Sequence, residues 1–131
     1  FFSTEETFAG RGLSRLHAAM TGTDPVRSEE VARAAEAGEP AAMRTYDLFA
    51  ELVGLLCREL ALRFMPLEGM FLAGSVGRSI ADRMSLFEPA FLADEHMRHI
   101  PENTPISLIL DDMAALHGCL GALGGGPARL T

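Results

Sequence analysis

Apolar residues recur at three- and four-residue steps from Ala42 through Tyr46, Phe49, Val53, Leu56 and Leu60 to Phe64, the spacing that lines one face of an α-helix. Leu48, Leu52 and Leu55 widen the stripe, so a helix entered at Pro40 and stopped before Pro66 is predicted to be buried on more than one side. The pattern then changes. Met70-Phe71-Leu72-Ala73 is a short continuous apolar run that breaks into Gly74-Ser75-Val76-Gly77, and Ile106-Ser107-Leu108-Ile109-Leu110 is a second such run. Runs of this kind read as strands buried on both faces, and a helical crossover between them implies parallel pairing.

Ser3 with Glu6 three residues later forms a capping box for a short first helix. Gly10-Arg11-Gly12 makes a bend before a helix over Leu13 to Met20, and Thr21 to Arg27 is a loop. Ser28 caps the next helix, with Glu29 and Glu30 in its first turn and Gly38 at its end. After the first strand, helices are expected from Gly77 to about Met84 and from Glu88 to Ala93, then a polar connection over His96 to Asn103. The last helix runs from about Met113 to Leu123, and Gly124-Gly125-Gly126-Pro127 ends it. Residues 1–124 are therefore expected to fold, with 125–131 as a flexible tail. The class is helix-rich α/β with two parallel strands and about five to six helices. Two strands cannot bury apolar runs on both faces, so further strands are expected from residues absent here or from another copy, which makes a homo-oligomer such as a dimer the expectation.

A chain of 131 residues is one domain or part of one. Its opening Phe1-Phe2, without Met, is what a fragment would show. A formal net charge of −7 with scattered arginines argues against nucleic acid as a partner, because phosphate neutralisation needs clustered positive charge. Cys57 and Cys119 lie in apolar helical patterns and read as buried free thiols of a reducing cytoplasm. No stretch is long and apolar enough for a membrane helix, so no membrane partner is expected. His17, His96, His99 and His117 have no spacing that predicts a metal site.

The break at Gly74 admits two readings. A Gly-rich turn at the carboxyl end of a parallel strand presents free backbone N–H groups, where open α/β sheets bind nucleotides. An ordinary strand-turn-helix joint, with glycines there for packing, has the same sequence.

The order of motifs bears on that choice. Ser3-Thr4-Glu5-Glu6-Thr7-Phe8-Ala9-Gly10-Arg11-Gly12-Leu13 resembles the segment of bacterial glucokinases that reads Ser-x-Glu-x-x-Leu-Ser-Gly-x-Gly-Leu before a helix. A long helix, a strand ending in Ala-Gly-Gly (here Ala73-Gly74-Ser75), a Phe-rich helical stretch, a Thr-Pro step into a strand and a closing Leu120-Gly121-Ala122 follow in the same order. The resemblance covers nearly all of this chain but only the carboxyl-terminal part of such an enzyme. It implies the ribonuclease-H-like, actin-like ATPase fold, and a kinase transferring phosphate from ATP to the 6-hydroxyl of glucose with Mg²⁺. Glu5 then falls on the carboxylate that accepts hydrogen bonds from glucose hydroxyls. Gly10, Gly12, Ala73, Gly74 and Ser75 fall on the ATP-facing segments, where a missing side chain lets the backbone come close to the nucleotide.

The departures are as specific as the matches. Ser75 replaces a glycine, the turn before Arg78 is one residue shorter and lacks its proline, Arg58-Glu59 stands for a Gly-Asn pair, and Ala93-Asp94-Glu95-His96 replaces a Lys-Gly-Arg step. The phosphate-loop pattern Asp-x-Gly-x-Thr does not occur; Asp111 and Asp112 follow a strand but lack its Gly and Thr. The missing amino-terminal lobe is thus expected to be this chain's partner, and the chain alone is expected to be inactive. The alternatives are a non-catalytic sugar- or nucleotide-sensing module of the same superfamily, and a helical interaction domain that dimerises through the Ala42 to Phe64 stripe.

Overall fold

The structure, a computed structural model, describes residues 3–124; the expected flexible tail lies outside the described residues. Eight α-helices and two strands follow in the order α1 Thr4–Phe8, α2 Gly12–Thr21, α3 Ser28–Glu36, α4 Pro40–Phe64, β1 Met70–Ala73, α5 Gly74–Ile80, α6 Met84–Phe91, α7 His99–Glu102, β2 Ile106–Ile109 and α8 Ala114–Leu123. A single 3₁₀ turn, Ala81–Arg83, joins α5 to α6. The helix-rich α/β class with two parallel strands is the one expected. More helical pieces are present than the apolar period indicated, partly because α7 is one isolated turn inside the expected polar connection.

Helix α4 is the axis of the core. Pro40 opens it, and it ends where Met65 turns left-handed (φ 45°) ahead of Pro66. Its buried face is Ala42, Thr45, Tyr46, Phe49, Ala50, Val53, Gly54, Cys57 and Ala61. The expected stripe therefore holds through Val53 and then rotates: Leu56 and Leu60 are only half-buried, and Phe64 is 66% exposed. The physical reason is Gly54. A Cβ there would stand 2.5 Å from the Phe87 carbonyl oxygen of α6, so the backbones of α4 and α6 meet at a distance only glycine allows. Phe87 and Phe91 stack at 5.6 Å between centroids and anchor α6 in the same core as Val31, Val53 and Ile80.

That anchoring also explains why α6 begins at Met84 and not at the expected Glu88, with Pro89 carried inside it. Helix α5 likewise starts earlier than Gly77. Ala73 is still extended, Gly74 takes φ +66°, and the chain reverses into the helix at once. Helix α3 closes as expected around Gly38 (φ +81°): Glu39 N–H donates to the Ala34 carbonyl and Gly38 N–H to that of Ala35.

The strands pair in parallel with Met70 opposite Ile106 and Ala73 opposite Ile109. Among the described residues, only one sheet face is covered. Met70, Leu72, Ile106 and Leu108 pack on the core, whereas Phe71 is 59% exposed, so the expectation of strands buried on both faces is not met within the chain. Helix α8 has no buried residue, which leaves Cys119 exposed, against the expectation of two buried thiols.

Two predictions follow from the core. Gly54→Val should lower stability by roughly 1–3 kcal/mol or more, since α6 must move off α4 to admit the side chain, and chemical denaturation measures it. Burial pushes the Cys57 thiol up from its ordinary 9.0 to about 11. The folded state thus favours the thiol, and this contribution is whole below pH 9.0 and lost as pH rises towards about 11. Cys57→Ala should flatten the fall in stability over that window.

Candidate functional site

The turn between α1 and α2 and the turn between β1 and α5 open into one cavity of about 600 Å³. Gly10 borders it from the first turn and Ser75 from the second. Phe8, Leu13, Ala32 and Phe49 supply an apolar wall, while Tyr46, Ser79, Asp82 and Arg83 supply a polar one. Such a mixture suits a ligand with a flat apolar body and a polar rim.

Each turn is held by its neighbours. Ser3 caps α1 as expected, accepting from the Glu6 N–H at 3.2 Å, and Glu6 pairs with Arg15 of α2 at 2.9 Å. Gly12 is the close-packed residue of the first bend, because a Cβ there would fall 1.7 Å from the Thr7 carbonyl oxygen. Ser28 does not cap α3, for Arg27 is the capping residue and its side chain makes no capping bond. The Ser28 hydroxyl instead donates to the Gly10 carbonyl at 2.5 Å, fastening the bend to the start of α3. In the second turn Gly74 has open space around it but needs its positive φ. Gly77 lies against β1, 2.8 Å from the Leu72 carbonyl by the position of its absent Cβ. Gly77 is thus a packing joint, while Ser75 borders the cavity and Gly74 lies beside it.

Of the six residues singled out from sequence, the fold brings Gly10 and Ser75 to the cavity wall. Gly12 is buried behind the first bend, and Ala73 and Gly74 are exposed beside the second. Glu5 is exposed on α1, outside the cavity lining. The polar wall of Tyr46, Ser79 and Arg83 and the wall given by α3 were not foreseen. The one signal for them was Tyr46, a phenol on an otherwise apolar stripe.

A sequence model of the Glucokinase family matches residues 1–124. The chain belongs to the glucokinase family. It is 32% identical over 135 residues to a glucokinase of Chelativorans sp. (strain BNC1), a match spanning 97% of this chain and 39% of that protein. It is 32% identical over 124 residues to a glucokinase of Sinorhizobium fredii, spanning 87% of this chain and 36% of that one. A crystal structure of glucokinase from an Antarctic psychrotroph superposes with a TM-score of 0.78 at 25% identity, over 95% of this chain and 41% of that chain. The chain thus spans about two fifths of the length of these relatives. It is a glucokinase-family sequence whose fold matches part of a glucokinase, as the order of its motifs implied.

The departures noted in the sequence divide in space. Ser75 borders the cavity, whereas Arg58 and Glu59 pair with each other at 3.0 Å on α4 and lie outside its lining. Asp94 accepts from the backbone N–H groups of Met97 and His96 at 2.7 and 3.0 Å, which hold its carboxyl below the usual range and make it a turn former. Arg78, on the cavity wall, is ion-paired to Asp112 beyond β2. No helix among the described residues is long and apolar enough to cross a membrane.

The two turns differ in what a methyl group would cost. Gly12→Ala should be the more destabilising, by roughly 1–3 kcal/mol, because backbone must move. Gly74→Ala, with free space but a positive φ, should cost about 1 kcal/mol. Paired thermal melts of the two variants check the ranking.

Proposed function

We propose that residues 1–124 form the carboxyl-terminal part of the large lobe of an ATP-dependent glucokinase that phosphorylates glucose at its 6-hydroxyl in the cytoplasm. The observation that carries this reading is the shared cavity of the Gly10 and Ser75 turns, two stretches distant in sequence that match two ligand-facing motifs of the family. In this reading the cavity takes the adenosine of ATP. Ser75 forms one edge of that site, with Ala73 and Gly74 exposed beside it, and Gly10 forms the other, with Gly12 buried behind it. Glu5, exposed at the start of α1, accepts charge-assisted hydrogen bonds from neighbouring sugar hydroxyls.

Phosphoryl transfer rests on positioning, on a base that takes the hydroxyl proton and on charge stabilisation of the transferring group, to which Mg²⁺ would contribute when bound. In this reading the base lies in the interlobe region, the phosphate loop lies near the amino terminus of the whole enzyme, and the Mg²⁺ ligands lie outside this chain. This chain contributes walls that fix the adenosine and one carboxylate that orients the sugar, so alone it turns over nothing. The exposed face of the sheet and α8 are the surfaces on which the remainder of the protein, or a second copy, packs. The position of Arg58 and Glu59 outside the cavity favours an enzyme over a sensing module, since that departure leaves the site's lining unchanged.

Glucose-dependent ATP consumption by the full-length protein is the test. Glu5→Gln should lower kcat/KM for glucose by about ten- to hundredfold, the cost of losing a charged hydrogen-bond acceptor. Full-length protein that consumes ATP without regard to glucose, or not at all, would overturn the assignment.

A further inference from the structure

Arg83 differs from the other polar residues of the cavity wall in how firmly its guanidinium is held. Its Nε donates to Asp47 Oδ1 at 2.9 Å, and its guanidinium carbon lies 5.0 Å from the centre of the Tyr46 ring. Both partners come from adjacent positions on α4, while Arg83 closes the 3₁₀ turn just before α6. Helices α4 and α6 meet backbone to backbone at Gly54 and Phe87, so the guanidinium is held between elements that cannot drift apart. Its side chain is only 22% exposed, and the residue lines the cavity. Among the described residues no acceptor engages its Nη1 or Nη2, which leaves the N–H donors of its outer edge available to a ligand.

The surrounding charge decides which part of a nucleotide those donors meet. Arg83 and Arg78 are each paired with an acid outside the lining, Asp47 and Asp112. The acids of the lining itself, Glu29, Glu36 and Asp82, are in no ion pair among the described residues. The wall is therefore more negative than its arginines offset, and it repels a polyphosphate while leaving a neutral nucleoside unopposed.

We propose that Arg83 is a ligand-binding residue that donates from Nη1 and Nη2 to an acceptor of the adenosine end, a purine ring nitrogen or a ribose oxygen, with Asp47 as its positioning residue. The phosphates then lie away from this wall. Because the fork is fixed before the ligand arrives, little side-chain freedom is lost on binding, which favours affinity. The proposal rests on the reading of the cavity as a nucleotide site.

The test titrates the full-length protein with adenosine and with ATP by calorimetry, alongside thermal melts. Arg83→Met should weaken both probes by the same factor, about ten- to hundredfold, the loss of charge-assisted hydrogen bonds. Arg83→Lys should keep the ion pair with Asp47 and the melting temperature but not the affinity, because one ammonium cannot hold Asp47 and offer a fork to the ligand. Asp47→Ala should lose part of the same affinity and Asp47→Asn regain it, since an amide oxygen still accepts from Nε. Full recovery of binding by Arg83→Lys would reduce Arg83 to a structural cation and overturn the proposal. A loss confined to ATP, with adenosine binding intact, overturns it too, by placing Arg83 on the phosphates. Should Arg83→Met fail to fold, Arg83→Lys decides alone. Wild-type protein that binds neither probe removes the nucleotide site and this proposal together, whereas wild-type binding that both Arg83 variants retain removes the proposal only.

Discussion

Helix α4 carries at Gly54 a stretch of bare backbone, and the Phe87 carbonyl of α6 occupies the space a side chain would need. This one close approach sets the geometry of everything around it. With α6 seated there, Phe87 and Phe91 complete the core, the preceding 3₁₀ turn is drawn onto α4, and Arg83 reaches Asp47 and Tyr46. Helix α5 is then suspended between that anchored turn and the end of β1. The cavity is the gap left between α5, α3 and the Gly10 bend. Its dimensions are thus a by-product of how near two helices lie some distance away.

Elements with a strong period were legible beforehand. The apolar spacing from Ala42 to Val53 and the uninterrupted runs at Met70 and Ile106 carry their own explanation, since a helix stripe and a core strand are defined by spacing alone. What spacing cannot encode is which face meets which neighbour. Beyond Gly54 the buried face of α4 turns towards Cys57 and Ala61 because α6 approaches there, and that approach is a tertiary fact. Ser28 shows the same limit at one residue. Its position before two glutamates reads as a helix cap, but it falls inside the helix, one residue past the cap, and its hydroxyl donates to the Gly10 carbonyl, far off in sequence.

The candidate site divides along the same line. Gly10 and Ser75 were visible because motifs mark them, and the fold puts both at one cavity. Tyr46, Ser79 and Arg83 were not visible, because each makes sense only beside the others. A tyrosine on a core stripe, a serine in a short helix and an arginine in a connecting turn are unremarkable apart; the fold brings all three to one cavity, with the Arg83 guanidinium 5.0 Å from the centre of the Tyr46 ring. Divergence within the family is also easier to interpret in space. The pair Arg58 and Glu59 satisfies itself on the surface of α4, and Asp94 folds its own turn, so these changes are locally compensated.

The chain contains one tyrosine and no tryptophan, and that tyrosine is Tyr46 at the cavity wall. Its phenylalanines absorb and emit only weakly, so the near-ultraviolet spectrum of this part of the molecule belongs almost entirely to a single side chain. A change of polarity or of distance to the Arg83 guanidinium alters the surroundings of that one chromophore. The fold has in effect placed its only optical gauge where the cavity opens, and the light this chain emits is a reading of that place alone.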